Sequence, residues 1–229
     1  MKKWAHSIRA VAFDMDGLIV NTEELYTVVC DTILDRRGRK FTPHLKRQMM
    51  GLPGPAAWQM LIDHEGLSDS IATLAHESDQ LFSNLLRTDL RTLPGLGELL
   101  EHLDELRLPR CIATSSSHEF ARRVLETVGL IDRFDFVVTA EDVAHGKPAP
   151  DIYRAAARRM GVAPEQMMVL EDSQHGATAG VAAGAFTVAV PGEHSADHDF
   201  SSVQLKANTL ADQVILAALG VNMQQGGIT

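Results

Sequence analysis

Cysteine is scarce in this 229-residue sequence, which contains two, Cys30 and Cys111, without CxxC spacing. Such usage predicts reduced thiols in a cytoplasmic protein. Long apolar runs are lacking too, and no uninterrupted apolar stretch follows the two lysines near the N-terminus. We therefore expect no membrane-spanning helix, no secretory signal and no membrane partner.

Positive charge is also in short supply, with 21 lysines and arginines against 30 aspartates and glutamates and a net charge of −9. This balance argues against a general affinity for nucleic acid or anionic membranes. An anionic ligand must therefore be held by a local set of donors or by a metal. The chain contains no GxxxxGKS/T loop, which argues against a nucleotide-binding kinase.

What the sequence does contain is an alternation of strand-like and helix-like segments. Short apolar or β-branched runs predict strands at residues 8–13, 110–113, 134–139, 167–170 and 186–190. Helical patterns lie between most of them, at residues 97–107, 119–128, 151–160 and 177–183. The alternation indicates βαβ units, and the nearly continuous apolar strands indicate burial on both faces. The predicted fold class is α/β, with a Rossmann-like parallel sheet as its core.

Residues 20–90 interrupt this alternation with helical patterns alone. Leu74, Leu81, Leu85 and neighbouring apolar residues recur at three- to four-residue spacing, which is typical of amphipathic helices. We therefore predict a core formed by residues 1–19 and 91–229 and an inserted helical cap formed by residues 20–90. Hinges are expected near residues 19–22 and 88–94, so that cap closure could exclude water.

Polar side chains follow the predicted strands, or lie in the loop between two of them. They are Asp14, Asp16, Thr114, Ser115, Ser116, Lys147, Glu171 and Asp172. Ligands gather at the carboxyl ends of strands in an open parallel sheet. Carboxylates from two strand ends can hold Mg²⁺, while a lysine, hydroxyls and amides can bind phosphate. With one aspartate as nucleophile and a second carboxyl as acid and base, this set suits phosphoryl transfer through an aspartyl-phosphate.

Each of these features has an ordinary explanation when it is taken alone. Asp-x-Asp-Gly is common turn chemistry, a Thr-Ser-Ser-Ser run is typical of a turn or helix cap, and a lone lysine is usually solvated. We interpret His118 and His175 as polar loop residues beside the predicted site, although either could contact substrate. The convergence of carboxylates, hydroxyls and a lysine on one sheet edge favours catalysis.

Four short motifs occur in the order typical of one enzyme family: FDMDG (13–17), ATSS (113–116), GKPAPDIY (146–153) and VLEDS (169–173). From about residue 8 to residue 191 the sequence resembles the haloacid dehalogenase superfamily. The resemblance is strongest to its β-phosphoglucomutase-like phosphatase branch, which carries a small helical cap. It implies a parallel-sheet core with a Mg²⁺-dependent phosphatase site at the sheet edge.

The resemblance implies a role for each acidic motif residue. Asp14 is implied to be the nucleophile and a Mg²⁺ ligand, and Asp16 to be the acid and base whose backbone carbonyl also binds the metal. Asp172 is implied to complete the metal site, with Glu171 as a nearby or alternative ligand. Lys147 is implied to bridge the transferring phosphoryl group and the nucleophile.

Substrate contacts are implied by the same resemblance. Thr114 and Ser115 are implied to hold the transferring phosphoryl group, and we include Ser116 and Gly51 among the candidate substrate-binding residues. The opening stretch through Tyr26 and the cap run around Gly51 also resemble pseudouridine 5′-phosphatases and sugar-phosphate phosphatases. We therefore expect a small-molecule phosphate ester as the partner, and a monomer or weak homodimer.

Two other functions compete with a phosphatase. A phosphohexomutase would share all four motifs, but it needs cations in the cap for a second phosphate. Gly54 stands about where mutases carry an arginine, and no lysine or arginine occurs between Gln48 and Leu86, although Lys46 and Arg47 remain. The other alternative is a non-catalytic phosphate-binding module, but such a module should have lost a motif residue, and none is missing.

Overall fold

The computed structural model describes residues 8–49, 52 and 54–220. Within these ranges the chain forms six β-strands and nine α-helices. The strands are β1 (Ala10–Phe13), β2 (Arg110–Ala113), β3 (Phe136–Val138), β4 (Met167–Glu171), β5 (Phe186–Ala189) and β6 (Leu205–Lys206). The helices are α1 (Thr22–Asp35), α2 (Pro43–Met49), α3 (Gly54–Glu65), α4 (Ile71–Thr88), α5 (Leu96–Glu105), α6 (His118–Thr127), α7 (Asp151–Met160), α8 (Gln174–Ala183) and α9 (Gln213–Ala218).

The strands form one parallel sheet in the order β3-β2-β1-β4-β5-β6, which confirms the predicted α/β class. At the end of β1, Phe13 pairs with Ile112 of β2 on one side and with Leu170 of β4 on the other. The strand order reverses between β1 and β4, and such a switch point is where open α/β sheets bind ligands. The residues just after Phe13, Ala113 and Leu170 therefore meet at one edge of the sheet.

Five of the six strands agree with the sequence prediction to within two residues at each end. The sequence does not predict β6, because its two residues, Leu205 and Lys206, are too few to show an apolar or alternating pattern. β6 extends the sheet beside β5.

Helices cover the sheet closely enough to bury β1, β4 and β5 along their whole length. All four residues of β1 and all five of β4 are buried, as the continuous apolar runs predict. Tyr153 of α7 and Ala179 of α8 belong to the same buried cluster as Ala12 and Val169. At Gly180 a Cβ atom would crowd the hydroxyl of Thr187, so α8 lies closer to the sheet than any larger residue would allow.

The chain divides into two compact units. Among the described residues, those up to Asn21 and from Arg91 onward form the core unit, and those between Thr22 and Leu90 form the cap unit. In the cap, α1 and α4 pack together, and the rings of Tyr26 and Phe82 stack at 4.1 Å between centroids. None of the helices in the described ranges combines the length and apolar character needed to cross a bilayer.

The cap contains a cavity of ≈ 530 Å³ between its own helices. Its wall is mostly apolar and includes Tyr26, Phe41 and Trp58. The Lys46 side chain also lines it, and its ammonium donates to the Thr27 hydroxyl at 2.8 Å. The Lys46 ammonium that lines this cavity is therefore hydrogen-bonded to a neutral hydroxyl.

Candidate active site

The carboxyl ends of β1 and β4 bring three buried acidic side chains together. The Asp14 amide donates to the Leu170 carbonyl at 3.0 Å, which continues the pairing of the two strands past Phe13. Asp14, Glu171 and Asp172 are all buried, and each offers a carboxylate oxygen within 4.8 Å of the others. Strand pairing therefore brings Asp14 close to Glu171 and Asp172, which lie far along the sequence from it.

Lys147 reaches this cluster from the loop between β3 and α7. Its ammonium donates to Asp14 Oδ1 at 2.5 Å, to Glu171 Oε1 at 2.6 Å and to the Ala113 carbonyl at 2.9 Å. Burial alone would lower the pKa of Lys147, but the charges of Asp14 and Glu171 outweigh it and raise that pKa above its ordinary value. The lysine is therefore a fixed positive charge beside Asp14.

Asp16 is held by the hydroxyls that follow β2. Its Oδ2 atom accepts from Thr114 Oγ1 at 3.1 Å and from Ser116 Oγ at 2.9 Å. The Thr114 hydroxyl accepts in turn from the Ser116 amide at 3.0 Å, while Ser115 beside it is exposed. The run that follows β2 thus orients the second carboxylate of the Asp-x-Asp pair.

Gly17 occupies a position that only glycine suits. Its φ is +80°, in the left-handed region, and a Cβ atom there would overlap Asp172 Oδ2 and the imidazole of His194. His194 Nε2 lies 2.5 Å from Asp172 Oδ2, so the imidazole and the carboxylate form a hydrogen bond. The turn after Asp16 therefore packs directly against the carboxylate of Asp172, which is distant in sequence.

The donor set of this edge fits a hard divalent cation. The Lys147 ammonium contacts the carboxylates of Asp14 and Glu171, the Asp172 carboxylate belongs to the same cluster, and the charge of Asp16 also acts on Asp14. Burial, together with the three neighbouring carboxylates, raises the pKa of Asp14 well above its ordinary value, although Lys147 opposes this shift. A cation with oxygen ligands would neutralise the excess negative charge, and carboxylate oxygens are the ligands that Mg²⁺ prefers.

The structure brings together most of the predicted site residues. Those that it places at this edge are Asp14, Asp16, Thr114, Ser115, Ser116, Lys147, Glu171 and Asp172. Gly51 lies outside the described residues. The interpretation of His118 and His175 as loop residues is wrong, because His118 begins α6 and His175 lies in the first turn of α8. His118 Nε2 lies 3.0 Å from Asp142 Oδ1.

Sequence reasoning missed two residues that contact the acidic cluster. Tyr153 is fully buried and donates its hydroxyl hydrogen to Glu171 Oε1 at 2.6 Å, yet it reads as an ordinary apolar position of a helix. His194 follows β5, so it could have been found by extending the survey of strand ends to that strand.

Comparison with known proteins identifies close relatives of this chain. A family model described as haloacid dehalogenase-like hydrolase matches residues 11–190. The "Probable pseudouridine-5'-phosphatase" of Drosophila melanogaster is 33% identical over 93% of this chain and 92% of its own length. The (DL)-glycerol-3-phosphatase 1, mitochondrial, of Arabidopsis thaliana is 35% identical over 97% of this chain and 74% of its own length.

A solved structure with the same fold extends this comparison to three dimensions. The conserved haloacid dehalogenase-like protein of Agrobacterium tumefaciens str. C58 superposes with a TM-score of 0.79 and 26% identity. The match covers 94% of this chain and 100% of that one. The similarity therefore includes the helical insertion as well as the sheet.

Proposed function

Because the chain belongs to the haloacid dehalogenase-like hydrolase family and its named relatives are phosphatases, we propose that it is a Mg²⁺-dependent phosphatase of small phosphate monoesters. The reaction proceeds through an aspartyl-phosphate on Asp14. One observation carries the proposal above the others. The Lys147 ammonium joins Asp14 to Glu171 within the same buried cluster that contains Asp172.

In the first step, a carboxylate oxygen of Asp14 attacks phosphorus and the ester P–O bond breaks. The leaving alkoxide takes a proton from Asp16, which must be protonated at this stage. In this structure the Asp16 carboxyl is held by the hydroxyls of Thr114 and Ser116, which keep it beside Asp14. Lys147 fixes the nucleophile and offsets negative charge that develops on the phosphoryl oxygens.

In the second step, water attacks the phosphorus of the aspartyl-phosphate, and Asp16 accepts the proton that the water loses. The P–O bond to Asp14 breaks, which releases inorganic phosphate and restores the free carboxylate. Asp16 gains in this step the proton that it gave in the first step, so the cycle closes without any other proton donor.

The metal would be held by the carboxylates of Asp14 and Asp172 together with the backbone carbonyl of Asp16. When bound, Mg²⁺ neutralises phosphate charge that the acidic edge would otherwise repel. The hydrogen bond between His194 and Asp172 orients one of these carboxylates. Such a contact supports a metal ligand from behind and fixes its rotamer.

The substrate that suits this chain is a monophosphate with a largely neutral body. A bisphosphate, which a phosphohexomutase must hold, needs cations in the cap, and the cap has none between Gln48 and Leu86. Lys46 and Arg47 lie just before this stretch, and the Lys46 ammonium donates to Thr27 inside the apolar cavity. A sugar phosphate or a nucleotide-like monophosphate fits these limits, and we assign its selection to the cap.

The free, buried thiols of Cys30 and Cys111 support a cytoplasmic location. We expect the enzyme to act on its small-molecule substrate as a monomer or weak homodimer.

A phosphate-release screen with Mg²⁺ over a broad panel of phosphate esters tests the proposal. The panel includes glucose 1-phosphate with and without a bisphosphate primer. We expect release from at least one monoester and a loss of about 10⁴-fold in the Asp14→Asn variant, because the nucleophile is gone. The matched control is Asp132→Asn, an exposed aspartate in the core unit that we expect to leave turnover unchanged.

Three results would contradict the proposal in different ways. Isomerised sugar phosphate in place of free phosphate would establish the mutase. No turnover of any ester would favour the non-catalytic module. Undiminished activity in Asp14→Asn would eliminate the aspartyl-phosphate.

A further inference from the structure

We propose that Tyr153 is a positioning residue that keeps Glu171 bound to Lys147, so that Glu171 serves the lysine and is not a ligand of the divalent cation. This inference rests on the proposed function, since it assigns a role within that site to the carboxylate at the end of β4. It also replaces the expectation that Glu171 is an alternative metal ligand.

The hydrogen bonds of Glu171 use all of its acceptor capacity. Oε1 accepts from Lys147 Nζ at 2.6 Å and from the Tyr153 hydroxyl at 2.6 Å. Oε2 accepts from the Ser173 amide at 3.2 Å and from the Ser173 hydroxyl at 3.0 Å. An ionised carboxylate has about four lone-pair sites, and here four donors occupy them. A cation could bind Glu171 only by displacing one of these donors.

Asp172 is held by a different kind of partner. Its Oδ2 atom contacts His194, and its carboxylate lies in the same cluster as Asp14. A contact of this kind supports a metal ligand from behind and fixes its orientation. Glu171 and Asp172 are consecutive at the end of β4, yet we assign Glu171 to the lysine and Asp172 to the metal.

The position of Glu171 is fixed on the helix side as well. At Gly176, in the first turn of α8, a Cβ atom would overlap the Glu171 carboxylate. Ser173 caps the same helix, since its hydroxyl accepts from the Gly176 amide at 3.1 Å. The start of α8 therefore forms one wall around Glu171, and Tyr153 of α7 closes the other.

Tyr153 contributes its ring and its hydroxyl separately. The Lys147 ammonium lies 5.1 Å from the ring centroid, which is within the range of a cation–π contact. Burial, and then the charge of Glu171, raise the pKa of Tyr153, so its hydroxyl keeps its proton and remains a donor. A phenylalanine here would keep the ring and the packing and would remove only the hydrogen bond.

Removing that hydroxyl frees one acceptor site of Glu171 Oε1. The freed oxygen can then bind a cation, so we expect metal binding to tighten by about tenfold, the lower end of the roughly 10- to 100-fold scale on which partners of metal ligands act. Lys147 is then held less firmly against Asp14, so we expect kcat to fall by about tenfold. A purely structural role would weaken both properties, or neither.

The test compares wild type, Tyr153→Phe and Thr187→Val. Thr187 is fully buried in β5, and its hydroxyl donates to the Ala185 carbonyl at 3.4 Å, so Thr187→Val controls for the loss of a buried hydroxyl away from the site. Free Mn²⁺ is measured by electron paramagnetic resonance during titration of each protein without substrate. Phosphate release is then measured with the best ester from the screen.

We expect Tyr153→Phe to bind Mn²⁺ more tightly and to turn over more slowly, while Thr187→Val changes neither. Unchanged or weaker Mn²⁺ binding in a folded Tyr153→Phe would overturn the inference, and so would unchanged turnover. Failure of the proposed function is distinguishable, because wild type would then release no phosphate while the Mn²⁺ titration still reports on Glu171.

Discussion

Two clusters in this molecule place one cation between two carboxylates, and they differ chiefly in burial. In the core, Lys147 lies between Asp14 and Glu171, and its side chain is 5% exposed. In the cap, Arg37 lies between Asp69, just before α4, and Glu77, within α4, and its side chain is 17% exposed. The same type of contact is therefore buried in the core and partly exposed to solvent in the cap.

The two clusters also differ in charge balance. The cap carboxylates, Asp69 and Glu77, share Arg37, and Glu77 has a second cation in Arg36 at 2.6 Å. Two positive charges thus face two negative ones, and the cluster is complete without a further ligand. The core cluster has more carboxylates than cations. An unbalanced, buried cluster is suited to binding a metal and a phosphate, whereas a balanced one serves to hold helices together.

Replacement of the core cation should give the largest effect. We expect Lys147→Met to abolish turnover and to lower the free energy of unfolding by about 3–5 kcal/mol, because it leaves buried carboxylates without their shared partner. Urea unfolding in the absence of metal measures the second quantity.

The cap offers a matched lysine as the control. Lys46 is half-buried and donates to the neutral hydroxyl of Thr27, so Lys46→Met should cost about 1 kcal/mol or less. Equal losses of stability in the two variants would mean that burial does not distinguish the core cluster from the cap.

Metal addition should stabilise the core cluster by a smaller amount. At a Mg²⁺ concentration about 100 times the dissociation constant, we expect about 2.7 kcal/mol of added stability in wild type. Asp172→Asn should lose most of this gain, since it removes one of the two carboxylates that we assign to the metal. Thermal unfolding with Mg²⁺ and with a chelator measures the difference.

Asp132→Asn is again the control, because its side chain is exposed and distant in sequence from every motif. It should retain the full gain in stability. If Asp172→Asn were stabilised by Mg²⁺ as much as wild type, the cation would bind elsewhere.

The sheet and its acidic edge could be predicted because both follow from local patterns. Continuous apolar runs identify buried parallel strands, and parallel strands end at one edge, so Asp14 and Asp172 had to come close together once β1 and β4 were neighbours. Lys147 could be added because it lies in the loop that follows the strand predicted at residues 134–139, which ends at the same edge.

The partners behind these residues could not be predicted, because they depend on packing between elements distant in sequence. Tyr153 contacts Glu171 across 18 positions, and His194 contacts Asp172 across 22. A buried tyrosine at a helical position gives the same apolar pattern as a phenylalanine. Which carboxylate a tyrosine or histidine supports is decided only by the register of α7 and by the course of the loop after β5.

The smallest expected effect concerns the cap cluster and its dependence on pH. Hydrogen bonds from Arg37 lower the pKa of Asp69 and of Glu77 below their ordinary values. Acids with a lowered folded pKa stabilise the protein above the unfolded pKa, and that contribution is lost as pH falls through the folded value. The gain should therefore be complete above about pH 4.5 and should fade below about pH 4.

We expect Arg37→Met to cost about 1 kcal/mol at neutral pH, a value kept low because solvent screens a partly exposed cluster. The cost should shrink as the pH is lowered, because protonated Asp69 and Glu77 gain little from the arginine in either protein. Urea unfolding of the metal-free protein at pH 7 and at pH 3.5 measures this change. Arg39→Met is the control, since Arg39 lies 3.9 Å from Glu65 and is half exposed. The comparison would fail if Arg37→Met cost as much stability as Lys147→Met, or if its cost grew in acid. Either result would mean that the cap cluster matches the core cluster in burial and in excess negative charge.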